Sequence, residues 1–177
     1  MSLVGRLLIA APNMFDENFV RAVVLICAHD ENGALGVVLN RPTEIPVVDH
    51  LPEWVEAAAS PPVVFLGGPV QVEVAVGLAT SQSVIEEWTP VVGDTGLIDL
   101  STCSPGSVIR ARVYAGYTGW GAGQLESEVD RADWLVVAAH ADDPFDDDPP
   151  SLRRRVLARQ SDSIRLYANY PEDPRLN

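Results

Sequence analysis

Two loop motifs contain groups that can bind an anion. Asn40-Arg41-Pro42 follows a strand-like run and brings together an amide and a guanidinium group. Gly67-Gly68-Pro69 follows a second, shorter apolar run. Glycine leaves its backbone N–H groups accessible, and successive amides of this kind can face an anion. A ligand that contacts both motifs would bind through its negatively charged part.

A third polar group opens a helix-like segment immediately after Trp120. Gln124, Glu126 and Glu128 fall in the first turns of that segment, where carboxylates interact favourably with the helix dipole. Glu126 and Glu128 point to different faces and are therefore not a ready acid–base pair, while Glu128 is placed to pair with an arginine three residues later. The sequence is compatible with a purely structural role for these groups and with a ligand pocket that they share with the two loop motifs. The candidate ligand-binding residues are Asn40, Arg41, Gly67, Gly68, Trp120, Gln124 and Glu126.

Familiar catalytic and cofactor signatures do not match this sequence. The chain has no lysine, no GxGxxG spacing and no GxSxG elbow. His29, His50 and His140 are far apart and lack the spacing of a zinc site, which predicts surface or strand-end positions. No catalytic residue, metal site or cofactor is therefore assigned.

The charge distribution disfavours nucleic acid as a partner. The net charge is −13, and all 12 basic residues are arginine. Such a chain repels phosphate at long range. Five aspartates between residues 142 and 148 precede an arginine-rich segment at 153–159, and we expect the two to neutralise each other. A metal loop is the alternative, although the glycine and terminal glutamate of a calcium hand are missing.

The cysteines and the hydropathy pattern indicate a cytoplasmic protein. Cys27 lies in an apolar run and is expected to be buried, whereas Cys103 lies in a loop where it could be reactive. No apolar run approaches the ~20 residues that cross a bilayer. The apolar run at residues 7–11 is too short for a secretion signal.

The periodicity predicts one domain, residues 1–177, of the α+β class with a mixed, largely antiparallel sheet. The run from Phe19 to Ala28 is apolar on both faces, which is typical of a central strand. Asp30-Glu31-Asn32-Gly33 predicts a type I′ hairpin. The predicted strands are 6–11, 19–28, 34–40, 63–66, 72–80, 96–100, 108–117, 134–139 and 164–168. The predicted helices are 47–59, 123–132 and 152–160, with Ser151 as an N-cap, and the tail 170–177 is expected to be extended.

The glycine-rich stretch from Gly116 to Glu128 predicts a corner between a strand and a helix. At least one of Gly116, Gly119, Gly121 and Gly123 is expected to have a positive φ. Trp120 is expected to be buried against the sheet.

The chain resembles the YqgE/AlgH family (UPF0301, DUF179), in the form found in actinobacteria. The resemblance rests on motifs in order along nearly the whole chain: Gly5-Arg6-Leu7-Leu8-Ile9-Ala10, Gly33-Ala34-Leu35-Gly36, Asn40-Arg41-Pro42, Gly67-Gly68-Pro69-Val70, Gly116-Tyr117, Gly119-Trp120-Gly121 and Gly123-Gln124-Leu125-Glu126. It implies a branched sheet curled into a barrel-like core, with no established catalytic residue or cofactor. The stretch 100–108 is shorter than in typical members, and Arg153 stands where relatives often have Trp.

These observations favour a non-enzymatic binding or regulatory domain that acts through an unidentified protein or a small ligand, as a monomer or weak dimer away from membranes. The alternative is a hydrolase that uses Glu126 or Asp16, with Asn40 and Arg41 as anion binders. A further alternative is a transcriptional regulator, because some family members are labelled as regulators of alginate synthesis. The acidic charge and the lack of a helix-turn-helix pattern argue against that transfer.

Overall fold

The computed structural model describes residues 2–81, 85 and 88–169. Within these ranges the chain forms ten strands and three α-helices. The strands are β1 (Arg6–Ala10), β2 (Val23–Asp30), β3 (Gly33–Val38), β4 (Pro42–Pro46), β5 (Val63–Leu66), β6 (Val70–Thr80), β7 (Trp88–Val92), β8 (Thr95–Ile98), β9 (Arg110–Gly121) and β10 (Trp134–Ala138). The helices are α1 (Gln124–Asp130), α2 (Pro149–Ala158) and α3 (Asp162–Arg165). No helix among the described residues is long and apolar enough to cross a bilayer.

The long strand β9 is the branch point of the sheet. The main path runs β10-β1-β2-β3-β9-β6-β8-β7. The C-terminal part of β9 pairs with β3, while its middle pairs antiparallel with β6 and parallel with β5. Every other pairing between the described strands is antiparallel, and an isolated parallel bridge joins Ala58 to Ala111 of β9. The sheet curls into a half-barrel, which confirms the predicted α+β class and the branched, curled sheet.

Alternation along the strands distributes the apolar side chains over three cores. Leu7 and Ile9 of β1 face the concave core, which α2 covers with residues such as Leu152. Leu8 faces the opposite side, under α1, and a further core lies outside β5, β6 and β9 around Trp54. Residues 23–27 of β2 are buried on both faces, which confirms the prediction of a central strand for this part, whereas Ala28 and Asp30 at its end are exposed.

The helix predicted at residues 47–59 is wrong. The segment forms two short 3₁₀ helices, Val47–Asp49 and Pro52–Trp54. Pro52 lacks an N–H and its ring clashes with the carbonyl four residues earlier, so a continuous helix is interrupted there. Trp54 is fully buried and donates its indole N–H to the carbonyl of Leu100 at 3.3 Å. Tertiary burial therefore decides the path of this segment.

The C-terminal expectations need correction. Residues predicted as a last strand form α3 and a 3₁₀ helix, Leu166–Asn169, that packs against α2. Helix α2 begins at Pro149, before the predicted N-cap Ser151, because proline is pre-organised for the first helical position. Residues 170–177 lie outside the described part. In the short stretch 100–108 the structure has a 3₁₀ turn, Pro105–Ser107.

Two further boundaries differ. Strand β2 begins at Val23 because residues 16–20 form a turn, in which Phe19 N–H donates to Asp16 O, and because Arg21 has a φ of 60°. The β2–β3 hairpin is confirmed, but its turn is not type I′, since neither Glu31 nor Asn32 has a positive φ. The Asp30 carboxylate instead accepts the Asn32 N–H at 2.7 Å, an Asx-type turn.

The acidic loop and the arginine-rich helix neutralise each other, as expected. Arg159 pairs with Asp143 at 2.6 Å, and Arg155 pairs with Asp146 and Asp148. No group of three or more metal-ligating side chains is gathered anywhere in the described ranges. Arg153 is buried and donates to the carbonyl of Ala10 at 3.3 Å, which is how α2 accommodates an arginine at this position.

Candidate functional site

Asn40 and Arg41 fasten the segment before β2 to the end of β3. The Asn40 side chain accepts the Val23 N–H at 2.9 Å and donates to the Arg21 carbonyl at 3.0 Å. Arg41 donates to the carbonyls of Glu17 and Val20 at 3.3 and 3.1 Å. Burial lowers the pKa of the Arg41 guanidinium, and the nearby Asp16 carboxylate opposes that shift. Both side chains are thus used within the chain.

Glu128 binds two tryptophans. Its carboxylate accepts the indole N–H groups of Trp120 and Trp134, each at 2.9 Å, and the Gln124 amide at 2.9 Å. The predicted pairing of Glu128 with Arg131 is wrong, because Arg131 pairs with Asp133 at 2.8 Å. The two buried indoles need an acceptor, and a carboxylate satisfies both.

Trp120 is 6% exposed, which confirms its predicted burial. Its ring stacks on Phe19 at 6.4 Å and meets Trp134 edge-on at 6.2 Å. Gln124 accepts the Gly121 N–H at 3.1 Å and so closes the corner between β9 and α1. Trp120 and Trp134 therefore belong to the core under α1, while Glu128 accepts their indole N–H groups and Gln124 closes the corner beside them.

Glu126 lies on a different surface, at a polar cavity of about 350 Å³ lined by Ser2, His29, Asp30, Glu31 and Glu126. The His29 Nε2 lies 2.7 Å from the Glu126 carboxylate, and His29 Nδ1 accepts the Leu3 N–H at 2.9 Å. Because Nδ1 is an acceptor, the ring proton belongs on Nε2. The backbone N–H of Glu126 and the His29 ring hold the pKa of this carboxyl below its usual range.

Within the described part of the chain, neither Asn40 nor Arg41 is hydrogen-bonded or ion-paired to Glu126. The structure brings Asn40, Arg41 and Trp120 together through the turn that contains Phe19, and it places Glu126 beside His29. Ligand binding by these sequence-selected residues stays a prediction.

Gly67, Gly68 and Gly116 form a close crossing of two backbone segments. The Gly67 N–H donates to the Ala115 carbonyl at 2.9 Å, so this amide is occupied. A Cβ on Gly67 would lie 2.3 Å from the Gly116 carbonyl oxygen, and one on Gly68 would lie 2.2 Å from that of Tyr117. Only glycine allows this approach. Gly116 and Gly123 have φ values of 70° and 72°, which confirms the predicted positive φ.

This crossing produces a large bulge in β6. Val70 pairs with Tyr117 and Ala75 with Ala115, so residues 71–74 of β6 stand opposite Gly116 alone. Strand β4 has a smaller irregularity between Pro42 and Pro46 where it pairs with β5. Bulges of this kind re-aim side chains and end regular pairing.

The two irregular strands border a groove of about 340 Å³ on the outer face of β5 and β9. It is lined by Ile45, His50, Leu51, Val64, Val72, Glu73, Val74, Ala75, Val113, Tyr114 and Ala115. Ile45, Val72 and Val74 are 45%, 52% and 41% exposed. Val64 and Val113 belong to the adjoining core around Trp54, so the groove is the uncovered continuation of that core.

The border of the groove is acidic. Glu73 is exposed within the lining, and Glu44 and Asp49 are exposed residues next in sequence to the lining residues Ile45 and His50. His50 is the only lining residue that can become cationic. The sequence has no arginine between Arg41 and Arg110 and no lysine at all. An apolar floor thus meets a border of negative charge.

Sequence reasoning did not select the groove. Its residues were divided among a predicted helix at 47–59 and ordinary strands, and aliphatic side chains in strands are normally assigned to a core. The available signal was the alternation Val70-Gln71-Val72-Glu73-Val74-Ala75-Val76 next to Gly67-Gly68. That pattern predicts a strand, but it does not show that the valines face solvent.

Comparisons with known proteins agree with this fold along nearly the whole chain. A family model described as AlgH-like, DUF179, matches residues 7–165. A UPF0301 protein of Streptomyces coelicolor is 45% identical over 186 residues, with 99% of this chain and 96% of that protein covered. A UPF0301 protein of Mycobacterium tuberculosis is 38% identical, with 96% and 88% covered.

Two solved structures are also similar. The crystal structure of a Corynebacterium diphtheriae protein superposes with a TM-score of 0.88 at 30% identity, covering 96% of this chain and 93% of that one. The solution structure of the AlgH protein from Pseudomonas aeruginosa gives 0.68 at 30% identity, covering 88% and 87%. With the family model matching residues 7–165 and relatives aligned almost end to end, the chain belongs to the AlgH-like (DUF179, UPF0301) family.

Proposed function

We propose that the chain is a non-enzymatic binding domain whose binding surface is the apolar groove between β4 and the β6 bulge. The observation that carries the proposal is the exposure of Ile45, Val72 and Val74 around a concave volume of about 340 Å³. Contiguous exposed aliphatic surface marks interaction sites, and ligand pockets have volumes of about 300–1,000 Å³.

The other candidate residues selected from the sequence are consistent with support of this surface. Gly67, Gly68 and Gly116 create the bulge that forms one wall. Asn40 and Arg41 hold a neighbouring turn through backbone carbonyl and amide groups. A hydrolase would need these polar groups and Glu126 at one substrate. Their separate hydrogen-bond partners favour the binding role.

We also propose that the domain works in the cytoplasm, with a protein or small molecule as its partner. Two free cysteines fit a reducing compartment, and Cys27 is fully enclosed in the core. The acidic border of the groove opposes contact with nucleic acid.

The test is titration of the full chain with N-phenyl-1-naphthylamine, an uncharged apolar dye that fluoresces when it leaves water. We expect saturable binding that Val74→Glu weakens at least tenfold, because a carboxylate would replace an apolar side chain in the wall of the groove. Ile109→Glu is the matched control, since Ile109 is 55% exposed and lies outside the groove. Equal losses in both variants, or none in Val74→Glu, would contradict the proposal.

A further inference from the structure

We infer that the natural occupant of the groove is an extended protein segment with aliphatic side chains at alternate positions and arginine or lysine at its ends. This inference rests on the proposed function and specifies its partner. It follows from the shape of the groove, the unpaired backbone of β6 and the sign of the surrounding charge.

The backbone of the β6 bulge favours an extended partner. Residues 71–74 have no pairing partner on β9. On the opposite edge of β6, strand β8 pairs only with residues 77–80. Among the described residues, no strand therefore lies beside residues 70–76 on the β8 side. Unpaired strand edges are templates for another strand, and peptides bind to such edges through main-chain hydrogen bonds.

The apolar lining sets the side-chain pattern of the partner. Val72 and Val74 are two residues apart on β6, and Ile45 lies on the opposite border. Successive side chains of a strand point to opposite faces, so an added strand would place every second side chain in the groove. Four bulged residues present at most about 13 Å of backbone at about 3.3 Å per residue, which limits the partner segment that pairs with them to roughly five residues.

The negative charge near the groove favours an aliphatic segment with basic ends over a fatty acid or a second copy of the chain. Glu73 lines the groove, the exposed Glu44 and Asp49 are sequence neighbours of its lining residues Ile45 and His50, and residues 42–109 contain no arginine. A fatty acid would bring a carboxylate to this border. A second copy would bring the same glutamates and a further net charge of −13. Cationic ends on an aliphatic segment are complementary to the border.

The test uses fluorescence anisotropy with the full chain and three labelled heptapeptides. The first is Arg-Val-Thr-Val-Thr-Val-Arg, the second has Glu in place of both Arg, and the third repeats the first with N-methyl groups on alternate amides. We expect the basic peptide to bind at least tenfold more tightly than the other two. Added salt at about 0.15 M should weaken binding of the basic peptide, because exposed charges are screened.

Two matched variants locate the charge effect. Glu73→Lys should weaken the basic peptide at least fivefold and strengthen the acidic one. Glu31→Lys makes the same change at an exposed acid outside the groove and should leave both affinities within twofold. Equal sensitivity to the two substitutions would overturn the assignment of the charged border.

The outcomes separate this inference from the proposed function. If the dye binds in the groove but no peptide binds, or if basic and acidic peptides bind equally, the inference is wrong and the binding role of the groove stands. If the N-methylated peptide binds as tightly as its parent, strand addition is wrong. If neither dye nor peptide is affected by Val74→Glu, the groove is not the binding surface and both proposals fall.

Discussion

Replacement of Gly116 by alanine tests how the glycine crossing builds the groove. Gly116 has a φ of +70°, and a Cβ there would lie 2.7 Å from the Gly68 carbonyl oxygen and 2.8 Å from that of Val70. These are backbone atoms, so no side-chain rotation relieves the overlap. The left-handed conformation costs about 1–2 kcal/mol and overpacking about 1–3 kcal/mol, which gives an expected loss of about 2–5 kcal/mol in the free energy of unfolding.

Substitutions at two other glycines of the same stretch separate the conformational cost from the cost of overpacking. Gly123 has a φ of +72° but no atom within 4 Å of its Cβ position, so Gly123→Ala should lose about 1–2 kcal/mol from conformation alone. A Cβ on Gly119 would meet only the Tyr117 ring at 3.8 Å, and Gly119→Ala should stay within about 1 kcal/mol of the parent.

The assay is equilibrium urea denaturation followed by tryptophan fluorescence, with the unfolding free energy of each variant referred to the parent. The loss should increase in the order Gly119→Ala, Gly123→Ala, Gly116→Ala. Dye binding to the groove should weaken only in Gly116→Ala, since the bulge opposite this residue forms the wall. If Gly116→Ala loses no more stability than Gly123→Ala, the crossing is not tightly packed and the reasoning fails.

Trp120→Ala should lose about 3–5 kcal/mol in the same denaturation assay, and a loss below about 1 kcal/mol would show an indole that is not packed in the core. Glu128→Leu should lose about 1–3 kcal/mol because the indole N–H groups of Trp120 and Trp134 lose their acceptor. Glu128→Gln keeps an oxygen acceptor and should lose less; an equal loss would argue against the hydrogen bonds. Burial raises the pKa of the Cys27 thiol to about 12. In a Cys103→Ser background this thiol should therefore resist a disulfide reagent near about pH 8 until the chain unfolds, whereas rapid reaction of the native chain would contradict that burial.

Much of the sheet follows from local patterns. The run around β2 is apolar on both faces, and its residues 23–27 are buried on both faces. In β9, Tyr114 faces the concave core while Ala111 and Val113 face the outer one, as the alternation predicts. These predictions succeed because strand periodicity is a property of neighbouring residues.

Long-range contacts explain the features that could not be predicted. Arg112 is almost fully buried, with its guanidinium 4.2 Å over the Phe65 ring and a 2.7 Å hydrogen bond to the Ser60 carbonyl. Nothing near Arg112 in the sequence indicates those partners. The 47–59 segment has a helical pattern, but burial of Trp54 against Leu100 holds it in a different path.

The candidate site also combines features that local sequence predicts with features that depend on long-range contacts. The sequence predicts that the glycines occupy positions with special backbone requirements, and Gly116 has the expected positive φ. Their consequence, a bulge that turns Val72 and Val74 toward solvent, depends on the register between β6 and β9. That register joins residues between 30 and 47 positions apart, from Thr80 and Arg110 to Val70 and Tyr117, and no local pattern encodes it.

The most direct test of the groove as the binding surface is a ¹H–¹⁵N correlation spectrum of the full chain titrated with the apolar dye. Binding in the groove should shift amides near Ile45, Leu51, Val74 and Ala115, which line it. Those amides should move together and saturate with one affinity. If they stay unchanged while amides around Asn40 or Glu126 shift, the binding surface lies at the polar residues and the groove account is contradicted.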